Sequence, residues 1–379
     1  MTRKVYITET NSITPIGFDV ASNILNIENG VSGIQRLEDK SLMPIPFYAA
    51  SIDENKLNTA FAKISSIQSY TKLEKMMLLA LQPVVEKSKF EINNRVAFII
   101  STTKGNITAL QKLTEESIQK AHLHELAKTL ADFFGSTTKP IVVSNACVSG
   151  VLAVSIAKRL IQSEMYDHVF VAAGDLVSEF VLSGFNSFQA MSDLPCKPYS
   201  KNRTGVTLGE AAAAVLVTSN KKNAKVEVIG DGAINDANHI SGPSRTGEGL
   251  YLSIESAFKE AKVNANHIDY ISAHGTATPF NDEMEAIAFN RLGLENIPLN
   301  SLKGYYGHTL GASGLLETVI GIESTIQNKL FRSFGYDESG VSQPIAVIEK
   351  NEPKPIRYFL KTASGFGGCN SAVVFEKIN

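Results

Sequence analysis

Cysteine is scarce: three residues, Cys147, Cys196 and Cys369, occur among 379. An odd number without CxxC spacing argues against a disulfide framework and against a zinc site, and leaves at least one thiol free. Blocks of one charge are also lacking. The formal net charge is -2 and lysine is scattered, so no strong basic field points to nucleic acid or an anionic membrane as the main partner. Met1 to Thr10 reads as a charged start running into a short strand, without the apolar core of a signal peptide, and no membrane-spanning run follows. The expected location is the cytoplasm. What is present is a balanced globular composition, 44% hydrophobic and 20% charged, enough for one large core or two fused ones.

Glycine and proline punctuate short apolar runs and helical stretches throughout, the rhythm of an α/β protein. Val5–Thr8, Val96–Ile100 and Ile141–Ser144 read as buried strands, and Lys72 to Lys87 as a helix between the first two. Ala211 to Val217 fits a strand or a short helix, and the strand is favoured. A repeat is more informative. Cys147-Val-Ser-Gly-Val-Leu-Ala-Val-Ser-Ile-Ala157 returns as Gly311-Ala-Ser-Gly-Leu-Leu-Glu-Thr-Val-Ile-Gly321, each reading as a helix start built of small residues. Around each copy the order helix, apolar strand, insertion, short strand, helix recurs, with Ile268–Ile271 as the strand of the second. The pattern predicts duplicated halves, 1–225 and 226–379, with the two small-residue helices central.

Cys147 falls between a strand and a helix start, where unpaired N–H groups favour a thiolate; the alternative is a small buried cysteine packed like alanine. His274 and His308 stand in glycine-rich strand ends suited to a cleft, with Thr276 and Thr278 offering hydroxyls. His122, His124, His168, His239 and His267 read as satisfied surface or core residues. Ala363-Ser-Gly-Phe-Gly-Gly-Cys-Asn370 suits either a hairpin turn or a backbone approaching a ligand, with Phe366 free to open or close a channel.

In order, Ser144-Asn-Ala-Cys-Val-Ser-Gly150, Gly209-Glu-Ala-Ala212, His274-Gly-Thr-Ala-Thr-Pro279, Lys303-Gly-Tyr-Tyr-Gly-His308 and Gly365-Phe-Gly-Gly368 resemble the β-ketoacyl-acyl carrier protein synthases, elongating members of the thiolase superfamily. The resemblance implies a thiolase-like fold: two duplicated halves in a five-layered α/β/α/β/α sandwich, dimeric with itself or with a related subunit. It implies that Cys147 is the acylated nucleophile, with His274 and His308 at the thioester carbonyl and Lys303 beside them. Glu317 and Asp282 match supporting carboxylates. Thr276 and Thr278 match contacts to phosphopantetheine, and Phe366 matches a gating phenylalanine whose N–H, with that of Cys147, holds an oxyanion. The implied reaction is decarboxylative Claisen condensation of an acyl thioester on Cys147 with a malonyl-acyl carrier protein, needing neither metal nor organic cofactor.

Because carrier proteins are acidic, Lys72, Lys75 and Arg203 are candidate docking charges; the alternative is a solvated face. The chain departs from the family by shortening between Thr102 and Pro140 and between Met191 and Lys197, which suggests a specialised polyene or polyketide pathway. Cys369 stands where threonine or serine is usual. Rival readings are a coenzyme A-dependent thiolase-type condensation using Cys369 as base, a non-catalytic chain-length partner subunit and, more remotely, a cysteine protease.

Overall fold

The computed structural model describes residues 3–66, 69–236, 238 and 240–378. His239 lies outside the described residues. Ten strands form one twisted, continuous sheet: β1 (Tyr6–Ile13), β2 (Val96–Ser101), β3 (Ile141–Val143), β4 (His168–Asp175), β5 (Ala211–Thr218), β6 (Val226–Asn235), β7 (Tyr270–Ser272), β8 (Leu299–Asn300), β9 (Tyr358–Gly365) and β10 (Cys369–Lys377). Their spatial order is β8-β7-β9-β10-β6-β1-β5-β4-β2-β3. Divided between β6 and β1, each set of five has its third strand outermost, followed by its second, fourth, fifth and first. Parallel and antiparallel pairings match as well. The sets meet where Tyr6 pairs with Glu227 and Ile7 with Val226.

Alternation along the strands sorts side chains between layers. On β2, Ala97 and Ile99 point into a central apolar cluster, while Val96, Phe98 and Ile100 point into an outer one. On the other side, Phe359 and Ala363 of β9 enter the same central cluster and Leu360 enters a third. The outer clusters are closed by α1 (Lys72–Ser88) on one flank and by α4 (Glu248–Ala261) and α5 (Pro279–Arg291) on the other. Between the two five-strand sets lie α2 (Ser149–Gln162) and α6 (Ser313–Gln327), which gives the five-layered α/β/α/β/α sandwich, while α3 (Glu179–Ser187) packs into a fourth, smaller cluster. Burial of each large aliphatic side chain in the middle layer contributes ~1.5–3 kcal/mol.

The repeat seen in the sequence is a contact in space. A Cβ on Gly150 would lie 2.6 Å from the Leu315 amide nitrogen, and one on Gly314 would lie 2.8 Å from that of Val151. The tips of α2 and α6 therefore touch backbone to backbone at equivalent positions of the repeat, which only glycine permits.

Ala211–Thr218 is a strand, and α1 starts where the sequence places it because Thr71 and Glu74 form a capping box. β1 runs further than its apolar start. Asn11 and Ser12 stay in the strand because their side chains are satisfied inside, Asn11 donating to the Leu79 carbonyl and Ser12 accepting from Asn23. β6 has a weak strand signature because Gly230 and Gly232 interrupt it. There α4 packs so closely that a Cβ on Gly230 would lie 2.2 Å from the Ala257 carbonyl oxygen.

Candidate active site

Cys147 occupies a tight elbow between β3 and α2. Ala146 before it adopts φ of 44°, an uncommon conformation for a residue with a Cβ. The Ser149 hydroxyl holds the elbow, accepting from the Asn145 N–H at 2.8 Å and donating to the Ala146 carbonyl at 2.6 Å. The sulfur faces His308, whose Nε2 is 3.1 Å away. His308 is fixed by its backbone, its N–H donating to the Thr207 carbonyl and its carbonyl accepting from Gly209 N–H. Gly307 before it has φ of 66°, and a Cβ there would lie 2.6 Å from the Leu208 carbonyl oxygen.

His274 completes the group, its ring centroid 5.2 Å from that of His308 and nearly perpendicular to it. Glu285 on α5 accepts the His274 and Gly275 N–H groups at 2.8 and 2.7 Å. Asp282 accepts those of Thr276 and Tyr199. Lys303, fully buried, donates to the His274 carbonyl, lies 3.3 Å from His274 Nδ1 and pairs with Glu317 at 2.7 Å. An ammonium has only donors to offer, so Nδ1 is the accepting nitrogen and Nε2 of His274 carries the proton into the cleft. His308 differs, because its Nδ1 meets the Ser313 hydroxyl at 2.9 Å. A hydroxyl can donate or accept, so His308 Nε2 has access to both roles.

Burial dominates the electrostatics. Desolvation, reinforced by the Lys303 charge, holds His274 and His308 well below the ordinary imidazole range, so both rings are neutral. Burial also pushes the Cys147 thiol up to about 12. The expectation that the helix start leaves a resting thiolate is thus reversed: with its sulfur enclosed, Cys147 is a thiol beside a neutral imidazole. Cys369 also stays protonated, pushed up to about 11 by burial.

Cys147, His274 and His308 open onto a cleft of about 430 Å³, with Thr276 and Thr278 along its wall. The two threonine hydroxyls lie 2.8 Å apart. Phe366 packs against Phe185 and Phe188 at centroid distances of 5.3 and 5.4 Å. Phe366–Gly368 is the turn of the β9–β10 hairpin, and Phe366 and Gly368 of that turn line the cleft. Cys369 lies beneath it, its thiol 3.3 Å from the Phe366 carbonyl, outside the cleft lining. His122, His124, His168 and His267 lie away from the cleft.

Three expectations change. Asp282 does not contact Lys303; it ties the His274 segment to Tyr199. Arg203 is engaged within the fold, its guanidinium donating to the carbonyls of Ser200, Gly340 and Pro279 and facing Asp282 at 3.5 Å, so it is not a free docking charge. Lys72 pairs at 2.6 Å with Glu210, a buried carboxylate that needs it. Lys75 is half-buried, its ammonium donating to Asn58 Oδ1 at 2.8 Å and lying 5.9 Å over the Phe61 ring, with no carboxylate paired to it among the ion pairs of the described residues. Sequence reasoning passed over Glu285, Ser313 and Lys361. Lys361 had a signal, a charge inside the apolar run of β9, and Glu285 follows Asp282 by three residues, on the same helix face. Among the described residues no group of three or more His, Cys, Asp or Glu could hold a metal ion, and no helix is long and apolar enough to cross a membrane.

Residues 2–223 match the model of the beta-ketoacyl synthase N-terminal domain, and residues 226–332 that of the C-terminal domain. The 3-oxoacyl-(acyl-carrier-protein) synthase 2 of Vibrio cholerae is 26% identical over 99% of both chains. Among solved structures, a ketosynthase in complex with its chain length factor from Xenorhabdus doucetiae is 24% identical, with a TM-score of 0.87 over 99% of this chain and 98% of that one. The ishigamide ketosynthase/chain length factor is 20% identical, with a TM-score of 0.91 over the whole of both chains.

Proposed function

The chain belongs to the beta-ketoacyl synthase family, and from that premise we propose that it forms β-ketoacyl thioesters on an acyl carrier protein through an acyl-Cys147 intermediate. The observation that carries this reading is the 3.1 Å approach of His308 Nε2 to Cys147 Sγ with a second neutral imidazole alongside. In the first half-reaction the thiol attacks the carbonyl of an acyl thioester delivered on phosphopantetheine. His308 Nε2 takes the S–H proton and returns it to the departing pantetheine sulfur, so that one thioester replaces another. Neutral rings suit this step, since an imidazolium could not accept the proton.

In the second half-reaction a malonyl thioester enters past Thr276 and Thr278. Loss of carbon dioxide leaves negative charge on its thioester oxygen, where N–H donors on the two imidazoles face it. The enolate carbon attacks acyl-Cys147, the oxyanion is met by the N–H groups of Cys147 and Phe366, and the thiolate leaves and takes up one proton. The sequence of steps uses no metal and no organic cofactor beyond the arm carried by the partner protein.

Two observations weigh against the rivals. The Cys369 thiol is turned toward the Phe366 carbonyl, not into the cleft, which disfavours a thiolase-type base. A chain-length partner subunit has no use for the Cys147, His274, His308 and Lys303 arrangement. The likeness to ketosynthases solved with chain length factors supports a dimer, either of two copies or with a related subunit. The test is mass spectrometry of Cys147 after incubation with acyl-carrier thioesters of increasing length. Acyl-Cys147 forming from carrier protein and not from coenzyme A is expected; its absence with every donor would overturn the reading.

A further inference from the structure

Below His274 lies a second buried lysine. Lys361, in the middle of β9, points into the central layer as its alternate neighbours Phe359 and Ala363 do, yet it is a full charge with no exposure. Its ammonium pairs with Glu317 Oε2 at 2.6 Å, while Lys303 takes Oε1 of the same carboxylate. It also donates to the carbonyls of Ser272 at 3.1 Å, Ala273 at 3.3 Å and Thr362 at 2.7 Å. Ser272 and Ala273 are where β7 ends and the chain turns into His274. Two cations share the Glu317 carboxylate, and the buried Glu285 carboxylate is the next anion acting on both. Isolated buried charge is costly, and a strand interior offers many cheaper residues for packing.

We propose that Lys361 is a positioning residue of the condensation site: through Glu317 it holds Lys303 against His274, and through the Ala273 carbonyl it holds the segment that carries His274. The inference rests on the condensing role of the two imidazoles. Its electrostatic consequence is that the Lys361 charge, added to burial and to Lys303, disfavours imidazolium at both rings, so they remain neutral in mildly acidic solution. The other charged or titratable groups around His274 are Lys303, His308, Glu317 and Glu285, with Asp282 bound to the Thr276 N–H and Cys147 across the cleft. The carboxylates favour protonation and the lysines oppose it.

The test is Lys361→Met, read in two ways. In substrate-free protein, imidazole resonances are followed by NMR through an acid titration. In the full reaction, the pH profile of malonyl-carrier decarboxylation is compared with that of acyl transfer to Cys147. The expected result is an upward shift of both the imidazole titration and the acid limb of decarboxylation by at least ~0.5 pH unit, with acyl transfer at pH 8 changed less than decarboxylation. Glu317→Gln is expected to move the acid limb the other way. If Lys361→Met does not fold, Lys361→Gln, which keeps a donor for the Ala273 carbonyl, is expected to show the same upward shift. An unmoved titration with both steps reduced equally would make Lys361 a purely structural residue and overturn the proposal. Because the titration needs no substrate, it is separable from failure of the condensing reading, which would appear as wild-type protein that never acylates.

Discussion

At the scale of single residues, enclosure of the sulfur determines its chemistry before any substrate arrives. With the Cys147 thiol pushed up to about 12, alkylation by iodoacetamide should keep accelerating as pH rises from 7 to 10. A plateau near neutral pH would instead reveal a stabilised thiolate. The histidines give the opposite sign. Their folded values lie below the free imidazole value of about 6.5, so condensation should stay level as pH falls through that value and decline only at lower pH. Stopped-time product assays from pH 5 to 8 check this. Cys147→Ala should lower product formation by roughly 10³-fold or more while leaving the cleft intact, measured with acyl and malonyl carrier thioesters. The grouping of Cys147, His274 and His308 was legible from the motifs taken in order, since each residue alone left a packing role open. The partners of those residues were not. Glu285 and Lys361 act through contacts between segments distant in sequence, and nothing in their own surroundings states which carbonyl or carboxylate they will meet.

At the scale of elements, the crossing of α2 and α6 is the least tolerant feature. Gly150→Ala and Gly314→Ala each force a methyl into a neighbouring backbone at under 3 Å, and each should cost about 1–3 kcal/mol in denaturant unfolding. Acyl transfer should fall with stability, since either change displaces the elbow that presents the sulfur. The β9–β10 turn should behave differently. Phe366→Ala removes contacts to Phe185 and Phe188 without entering the core, so melting temperature should hold within a few degrees while selectivity among acyl chains changes in competition assays. Helices with caps were legible, α1 almost to the residue. Strands were legible where apolar residues run unbroken, as in Val96–Ile100 and Ala211–Val217, and less so in β1 and β6, where buried hydrogen bonds and close helix packing replace that pattern.

At the scale of the whole molecule, the middle layer belongs to neither half. Val5, Val151 and Val215 share one cluster with Leu315, Phe359 and Val373. Fragments 1–225 and 226–379 expressed separately should therefore lack cooperative thermal unfolding, measured by circular dichroism, even though each contains five strands of the same order. The short internal repeat was enough to suggest two copies, since small residues recur only where helices must approach closely. The join between the two sets of strands was not legible, because it rests on only two paired positions, Tyr6 with Glu227 and Ile7 with Val226.

The close approach of Gly150 to Leu315 and of Gly314 to Val151 also governs how the molecule can move. With no side chain between the helix tips to absorb a shift, a cargo that pushes on the tip bearing the sulfur pushes on the tip that follows His308 as well. In the proposed condensation, the elbow that would carry the acyl group and the post that holds His308 are therefore expected to keep a fixed spacing.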